Sequence, residues 1–470
     1  MPVAHLVLRR GAGPDAGRTA LVGDDRRRTY AELAADVRAG AAHLRAGGLT
    51  PGDLVALTLG DALDTLVALL AVDHAGGVAL VGDPAWGVHQ RAEVLRTLEP
   101  AVVVAVPLPR AADVGLPPGI DPDPCSEPDL EAPAWAGFSS GSTGRPRAIT
   151  RSRGSWTRSF GHVSDLTGTR PQDTVLITGP LASSLHCFAA LHALGTGACA
   201  DLVPTPATTT AALAHGDVAH VVPSRLDDVL DALDAGAPSR LRTVVVGGAG
   251  LDRAQRERAA AHGIGVVAYY GAVELSFVAV DTGAGLRPFP DVEIDVRPQE
   301  GTDLGEVWVR SPWTADGYLA GARGPLRREG GWCTVGDLAD LPDGDGDEPL
   351  VLRGRGDGAI LTAGATVVPE DVEVALRPVP GVRDVVVVGA PHRRLGAVVV
   401  AVVEADARPG LRAHLERVAR ATLAPAQRPR RWYRLDALPR TGAGKPARAA
   451  IGSAVAGTHS PALAGLEPLR

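Results

Sequence analysis

A run of branched apolar residues, Thr243-Val244-Val245-Val246, ends in Gly247-Gly248. It is followed by a helix-length stretch, Leu251 to His262, and then by a second strand-like run, Gly265 to Tyr270. Two strands separated by a helix pair side by side and parallel, with the helix laid across one face of the sheet. The same order recurs near the start of the chain. Thr29-Tyr30-Ala31-Glu32 has the form of a capping box, with Thr29 opening a helix and Glu32 reaching back to it. Leu33, Val37 and Leu44 then mark an apolar helical face that stops at Gly47-Gly48. Leu54 to Leu57 reads as a strand, Ala62 to Ala71 as a helix and Pro100 to Val106 as another strand. The fold class is therefore α/β with largely parallel sheets.

With 470 residues the chain exceeds one ordinary core and calls for at least two domains. Pro117 to Pro133, rich in Pro and Asp, reads as a surface linker, and Pro342 to Glu348 as an acidic turn without calcium-loop spacing. After Arg355 the pattern restarts with short elements, Asp384 to Val388, Ala397 to Val403 and a helix from Leu411 to Ala421. The domain boundary is accordingly expected near Asp357, giving domains 1–356 and 357–470.

A net charge of -7 with mixed signs disfavours nucleic acid as the main partner. The apolar stretch Leu54 to Val81 is interrupted by Asp61, Asp64 and Asp73, so it does not form a membrane span. Met1 to Arg10 carries no signal-peptide pattern. Cys125, Cys187, Cys199 and Cys333 are widely spaced and read as reduced thiols of a cytoplasmic protein. The 47 basic residues include one lysine, Lys445. An arginine-rich coding bias explains the rest. At position 445 the compact ammonium is retained where the planar guanidinium fork would otherwise stand.

Five segments carry chemistry. Phe138-Ser139-Ser140-Gly141-Ser142-Thr143-Gly144-Arg145-Pro146-Arg147 crowds hydroxyls, glycines and arginines, the donors that cradle phosphate oxygens. It lacks the GK[ST] ending of a Walker loop. In Tyr269-Tyr270-Gly271-Ala272-Val273-Glu274 a strand is expected to run into a glycine turn. An aromatic there can stack on a purine and a carboxylate can hold phosphate-bound Mg²⁺; a core tyrosine and a surface glutamate have the same sequence. Gly336-Asp337 and Gly354-Arg355-Gly356-Asp357 supply a carboxylate and a guanidinium suited to ribose or phosphate, or to an ordinary turn and ion pair. Pro439-Arg440-Thr441-Gly442-Ala443-Gly444-Lys445 puts the lone lysine on a Gly-rich loop expected to be mobile.

In this order the segments resemble the adenylate-forming superfamily, which includes acyl- and aryl-CoA synthetases, luciferases and the adenylation domains of nonribosomal peptide synthetases. The likeness extends through Gly305-Glu306-Val307, Gly317-Tyr318 and Pro391 to Val403. It is strongest to stand-alone acyl- or aryl-acid CoA ligases. The resemblance implies a large multi-layered N-terminal domain and a small mobile α+β C-terminal domain. It implies that ATP, Mg²⁺ and CoA (or a pantetheine thiol on an acyl carrier protein) act with a small carboxylic acid.

By the same resemblance, Ser139, Ser140, Gly141, Ser142, Thr143, Gly144 and Arg147 close over the β- and γ-phosphates. Gly248, Ala249, Tyr270 and Gly271 enclose adenine, Glu274 binds Mg²⁺, and Asp337 with Arg355 binds ribose. Asp357 is the hinge, Gly364 borders the thiol tunnel, and Lys445 bridges the acid and the α-phosphate. The acid pocket takes Ser183, Ser184, His186, Gly247 and Ala272, with His186 flanking the carboxylate or closing the pocket.

Three positions depart from the family pattern. Pro146-Arg147-Ala148 stands for Pro-Lys-Gly, Val273 for Thr, and Gly250 for Pro. The segment Pro180 to Phe188 lacks the Asp that pairs an α-ammonium, so an α-amino acid is not the expected substrate. Aryl, aliphatic and dicarboxylic acids remain open. Two other functions compete: an adenylating enzyme with an amine or nitrite acceptor, and a degenerate ATP-binding scaffold without turnover.

Overall fold

The structure is a computed structural model. It describes residues 3–469 apart from 85, 87, 115–128, 140–146, 248–250, 252, 300–303, 343–347, 356–357, 359, 363–364, 393–395, 424–425, 442–443, 457–462 and 464. The boundary expected at Asp357, most of the linker after Pro117, most of the acidic turn after Pro342, and Cys125 lie outside the described residues. The chain forms two compact units. One contains Met1–Ser139, Pro146–Glu293 and Ser311–Gly324; the other contains Ile294–Arg310 and Pro325–Arg470.

In the first unit, helix α1 (Tyr30–Ala46) starts at the expected capping box. The Thr29 hydroxyl accepts from the Glu32 N–H, and the Glu32 carboxylate accepts from the Thr29 N–H at 2.8 Å. Helix α2 (Ala62–Ala75) runs four residues past its expected end and stops at Gly76, whose φ of 91° is open to glycine. The three aspartates of this apolar stretch each have a task. Asp61 caps α2, Asp64 pairs with Arg26, and buried Asp73 pairs with Arg153 at 2.8 Å. Among the described residues no helix is long and apolar enough to cross a membrane.

Two sheets form the unit. The six-stranded one has the order Gly317–Tyr318, Arg147–Ser152, Pro133–Ser139, Val78–Val81, Leu54–Leu57 and Val102–Val104, the last shorter than Pro100 to Val106. Here β1 is Pro133–Ser139 and β2 is Arg147–Ser152. The nine-stranded sheet includes β3 (Val218–Val221), β4 (Thr243–Gly247), β5 (Gly265–Ala272) and β6 (Ser276–Asp281). From β5 the order continues through β4, β3, Thr174–Ile177, Cys199–Leu202 and Thr19–Gly23, every neighbouring pair parallel. Such strands are covered on both faces, so Val218–Val221 is buried at every position, His220 included, with no alternation of exposed residues. The connecting helix after β4 is Arg253–Ala261. The short edge strand of the six-stranded sheet, Gly317–Tyr318, is β7.

The second unit carries a six-stranded sheet that includes β8 (Asp337–Asp340) and β9 (Leu352–Arg355), antiparallel to each other. Its other sheet centres on the hairpin β10 (Asp384–His392) and β11 (Gly396–Glu404), paired from Asp384↔Glu404 to His392↔Gly396. Val385, Val387, Val399 and Val403 pack on one side with Val372 and Leu376 of a helix over Pro369–Leu376. Val386, Val388, Val400 and Val402 pack on the other side with Ile451 and Val455 of a helix over Arg448–Ala456. A strand covered on both faces has no reason to alternate, which accounts for the unbroken valines.

Candidate active site

The hydroxyl-rich segment joins β1 to β2, whose ends pair across the sheet at Ser139↔Arg147 and Phe138↔Ala148. It therefore closes a hairpin and does not lead into a helix N-terminus, as a Walker loop would. Ser140, Gly141, Ser142, Thr143 and Gly144 lie outside the described residues. A cavity of about 180 Å³ opens at the carboxyl ends of Leu54–Leu57 and Val78–Val81, lined by Thr58, Gly82, Asp83, Trp86 and Arg91. The Trp86 ring meets Phe138, the residue before Ser139, edge-on at 4.6 Å.

The Tyr-Gly-Ala-Val-Glu segment differs from expectation in one respect. Strand β5 continues through Gly271 to Ala272, and Gly271 sits at a register shift against β6. A Cβ at Gly271 would come within 2.1 Å of the Ser276 carbonyl oxygen, so only glycine lets the two strands approach there. The turn follows at Val273–Leu275, closed by the Leu275 N–H donating to the Ala272 carbonyl at 3.1 Å. Tyr269 and Tyr270 point to opposite faces of the strand. Tyr269 packs on Gly247, whose added Cβ would lie 2.4 Å from the ring, and on Phe277 at 4.7 Å. Burial pushes the Tyr269 hydroxyl above its ordinary range. Tyr269 is thus the packing residue of the pair, and Gly247 and Ala272 stand at the ends of β4 and β5. Gly248, Ala249 and Gly250 lie outside the described residues.

Glu274 is not a surface glutamate: it is 2% exposed. Its carboxylate accepts a hydrogen bond from the Tyr318 hydroxyl at 2.9 Å, and its carbonyl accepts from the Ala315 N–H at 2.8 Å. Beneath the turn lies Arg151 of β2, 1% exposed. It donates to the Val273 carbonyl at 2.6 Å and to the Trp313 carbonyl. Burial pushes Arg151 down to about 9, opposed by the charges of Asp316 and Glu274, so it remains a cation at neutral pH. Sequence reading missed both Arg151 and the role of Tyr318. The one available signal was an arginine inside Ala148-Ile149-Thr150-Arg151, a strand otherwise suited to burial.

Among the described residues no three His, Cys, Asp or Glu side chains gather into a metal site. Mg²⁺ does not require one, since it is commonly held by one or two carboxylates with nucleotide phosphates and water. A buried carboxylate with one oxygen already oriented by a hydroxyl fits that use.

His186 lies in the first turn of helix α3 (Ser184–Thr196), where Ser183 takes the N-cap position without a side-chain cap, and Ser183 and Ser184 are half-buried. The imidazole fills the space above Gly179, where an added Cβ would fall 2.2 Å from the ring. It is 3% exposed and neither ring nitrogen has a hydrogen-bond partner. Burial, then the Arg225 charge, lowers its pKa to about 3, so the ring is neutral.

In the second unit Asp337 is 9% exposed and stands directly across from Arg355 in the β8–β9 register. Asp357 and Gly364 lie outside the described residues. Lys445 ends a braced turn: the Thr441 N–H donates to the Lys445 carbonyl at 2.7 Å, and the Gly444 N–H to the Thr441 carbonyl at 2.8 Å. Arg440 reaches Asp384 at 3.0 Å on one side. Arg448 grips Glu373 at 2.5 Å and the Val387 carbonyl at 2.6 Å on the other. The described ends of the loop expected to be mobile are thus fastened to β10 and to the Pro369–Leu376 helix; Gly442 and Ala443 lie outside the described residues.

Residues 8–319 match the family described as AMP-binding enzyme, and residues 371–445 match the AMP-binding enzyme C-terminal domain. The chain is 31% identical over 349 residues to an uncharacterized acyl–CoA ligase, YhfT, of Bacillus subtilis strain 168, covering 70% of each. It is 37% identical over 227 residues to a probable 2-succinylbenzoate–CoA ligase of Mycobacterium tuberculosis, covering 47% of this chain and 56% of that protein. In fold it is similar to the crystal structure of ATP-bound MatB from Rhodopseudomonas palustris, with a TM-score of 0.84 at 23% identity over 97% of this chain and 99% of that one.

Proposed function

The chain belongs to the AMP-binding enzyme family, and on that footing we propose that it activates a carboxylic acid as an acyl adenylate, releases pyrophosphate, and passes the acyl group to the thiol of CoA. The observation that supports this most is the register of β8 and β9, which sets Asp337 opposite Arg355. Those two residues are the ones suited to ribose hydroxyls and to phosphate, and a ribose contact from both needs them side by side.

A carboxylate is a poor acyl donor because its leaving group would be oxide. Attack of its oxygen on the α-phosphorus of ATP gives the mixed anhydride and frees pyrophosphate. In this reading Ser139 to Arg147 close over the β- and γ-phosphates, Gly248, Ala249 and Tyr270 enclose adenine, and Asp337 with Arg355 holds the ribose. Glu274 would hold Mg²⁺, which when bound would neutralise phosphate charge. Lys445 donates between a carboxylate oxygen and an α-phosphate oxygen, a task of positioning and charge stabilisation. The thiol then attacks the acyl carbon beside Gly364 and AMP leaves. Serving two reactions at one site gives a hinge at Asp357, between domains 1–356 and 357–470, a reason to exist.

The acid is read as an aryl or acyl acid without an α-ammonium. No Asp stands in Pro180 to Phe188, and the neutral imidazole of His186 provides no counter-charge for an ammonium. The names of the relatives, an acyl–CoA ligase and a 2-succinylbenzoate–CoA ligase, point the same way. A panel of acids assayed for pyrophosphate release, with mass spectrometry of products with and without CoA, tests the proposal. Acyl-CoA is expected from an aryl or acyl acid. Strong release with an α-amino acid alone would overturn the substrate reading. Adenylate that is not consumed by CoA would move the acceptor to a carrier-protein thiol or an amine.

A further inference from the structure

Glu274 comes from the turn between β5 and β6, but the groups that fix it come from elsewhere, and they converge on one strand. Arg151 is a β2 residue, and β2 is the strand by which the chain leaves the hydroxyl-rich loop at Arg147. Its guanidinium spans two backbone carbonyls, those of Val273 and Trp313, so it ties the Glu274 turn to the segment Ser311–Gly324. That segment returns the contact twice: the Ala315 N–H holds the Glu274 carbonyl, and the Tyr318 hydroxyl holds its carboxylate. Tyr318 is itself registered on β2, opposite Ile149, and Gly317 opposite Thr150. The planar fork of arginine suits a bridge between two carbonyls in a way an ammonium does not.

We propose that Arg151 and Tyr318 are positioning residues for Glu274. Through them β2 presets the carboxylate read as the Mg²⁺ residue. The inference rests on the reading of Glu274 as the Mg²⁺ residue. It goes beyond that reading by assigning the orientation of that carboxylate to two residues whose contacts are to Glu274 itself and to the backbone around it. A buried arginine serving the fold alone would cost stability when removed but would leave the Mg²⁺ requirement where it was.

The test is ATP binding in the absence of acid, followed by calorimetry as Mg²⁺ is titrated, on Arg151→Met, Arg151→Lys, Tyr318→Phe, Glu274→Gln and Tyr30→Phe. Tyr30 is a control: its buried hydroxyl donates to the Ala198 carbonyl at 2.8 Å, remote in sequence from this turn. Tyr318→Phe and Arg151→Met are each expected to raise the Mg²⁺ concentration for half-maximal binding roughly tenfold, the worth of one hydrogen bond to a charged group. Arg151→Lys should fall between them and the wild type, and Tyr30→Phe should lower the melting temperature without moving the Mg²⁺ midpoint. Should Arg151→Met fail to fold, Tyr318→Phe and Arg151→Lys decide the matter. If Glu274→Gln shifts the midpoint while Tyr318→Phe and Arg151→Lys both keep the wild-type value, the positioning role is wrong and the Glu274 reading stands. If Glu274→Gln itself keeps the wild-type midpoint, the Glu274 reading falls and the positioning role with it. An equal shift in Tyr30→Phe would also overturn the inference, by showing that any buried polar loss has the same effect.

Discussion

At the residue scale the chain poses its sharpest question at Lys445, where one lysine survives among 47 basic residues. If charge were all that mattered, Lys445→Arg would be harmless. A small ammonium fits between a carboxylate oxygen and a phosphate oxygen, whereas a guanidinium fork displaces one of them. Lys445→Arg should therefore lower adenylate formation about 10²–10³-fold, nearly as far as Lys445→Ala. Thiol attack on a supplied acyl adenylate should persist in both. Near-normal adenylation by the arginine variant would take the lysine out of the mechanism. Asp337→Ala should raise the KM for ATP while the melting temperature holds, because each hydrogen bond to an ionised carboxylate is worth roughly 1.5–3 kcal/mol. An unchanged KM would place the ribose elsewhere.

At the scale of elements, local chemistry sets where helices begin and close approach sets where glycine is required. The capping box at Thr29 satisfies two N–H groups at once. Thr29→Ala should cost about 1 kcal/mol of stability, read as a lower denaturation midpoint, with adenylation untouched. A loss of activity instead would mean that α1 does more than support the core. In β5 the glycine expected to make the turn proved to allow the close approach of β6 at a register shift, and the turn moved on to Val273–Leu275. The lysine loop shows the complementary case. Its glycines suggest freedom, yet Arg440 and Arg448 fasten its ends to carboxylates far along the chain. Under the proposed hinge, Lys445 would move together with the strand and helix that hold Arg440 and Arg448.

At the scale of the whole molecule, three histidines link pH to stability. Burial holds His186 down to about 3 and His192 to about 4, and lowers His220 as well, each from about 6.5. The Arg225 charge adds to the effect at His186, and the imidazoles of His192 and His186 add to it at His220. Below pH 6.5 the unfolded chain takes up protons that the folded one refuses. Stability should accordingly be full above about pH 6.5 and fall with acidification, by up to about 1.4 kcal/mol per pH unit for each histidine. His220→Leu should flatten the fall in melting temperature between pH 7 and 5; an unaltered slope would refute the account. Asp357→Pro, by fixing φ at the proposed hinge, should leave adenylate formation in place while thioester output drops. Wild-type rates in both steps would refute the boundary at 357. What the sequence determined alone was local or ordinal. Strand and helix periods are written in neighbouring residues, as are the capping box, the lone lysine, the absence of Asp from Pro180 to Phe188 and the order of the five motifs. Tertiary structure decided which strands neighbour one another, so that Thr19–Gly23 joins Cys199–Leu202. It also buried Glu274, set Tyr318 on it from 44 residues away, and drove Arg151 under a carbonyl 122 residues distant. No periodicity reaches across such separations; they are fixed when packed sheets leave a buried polar group only those partners.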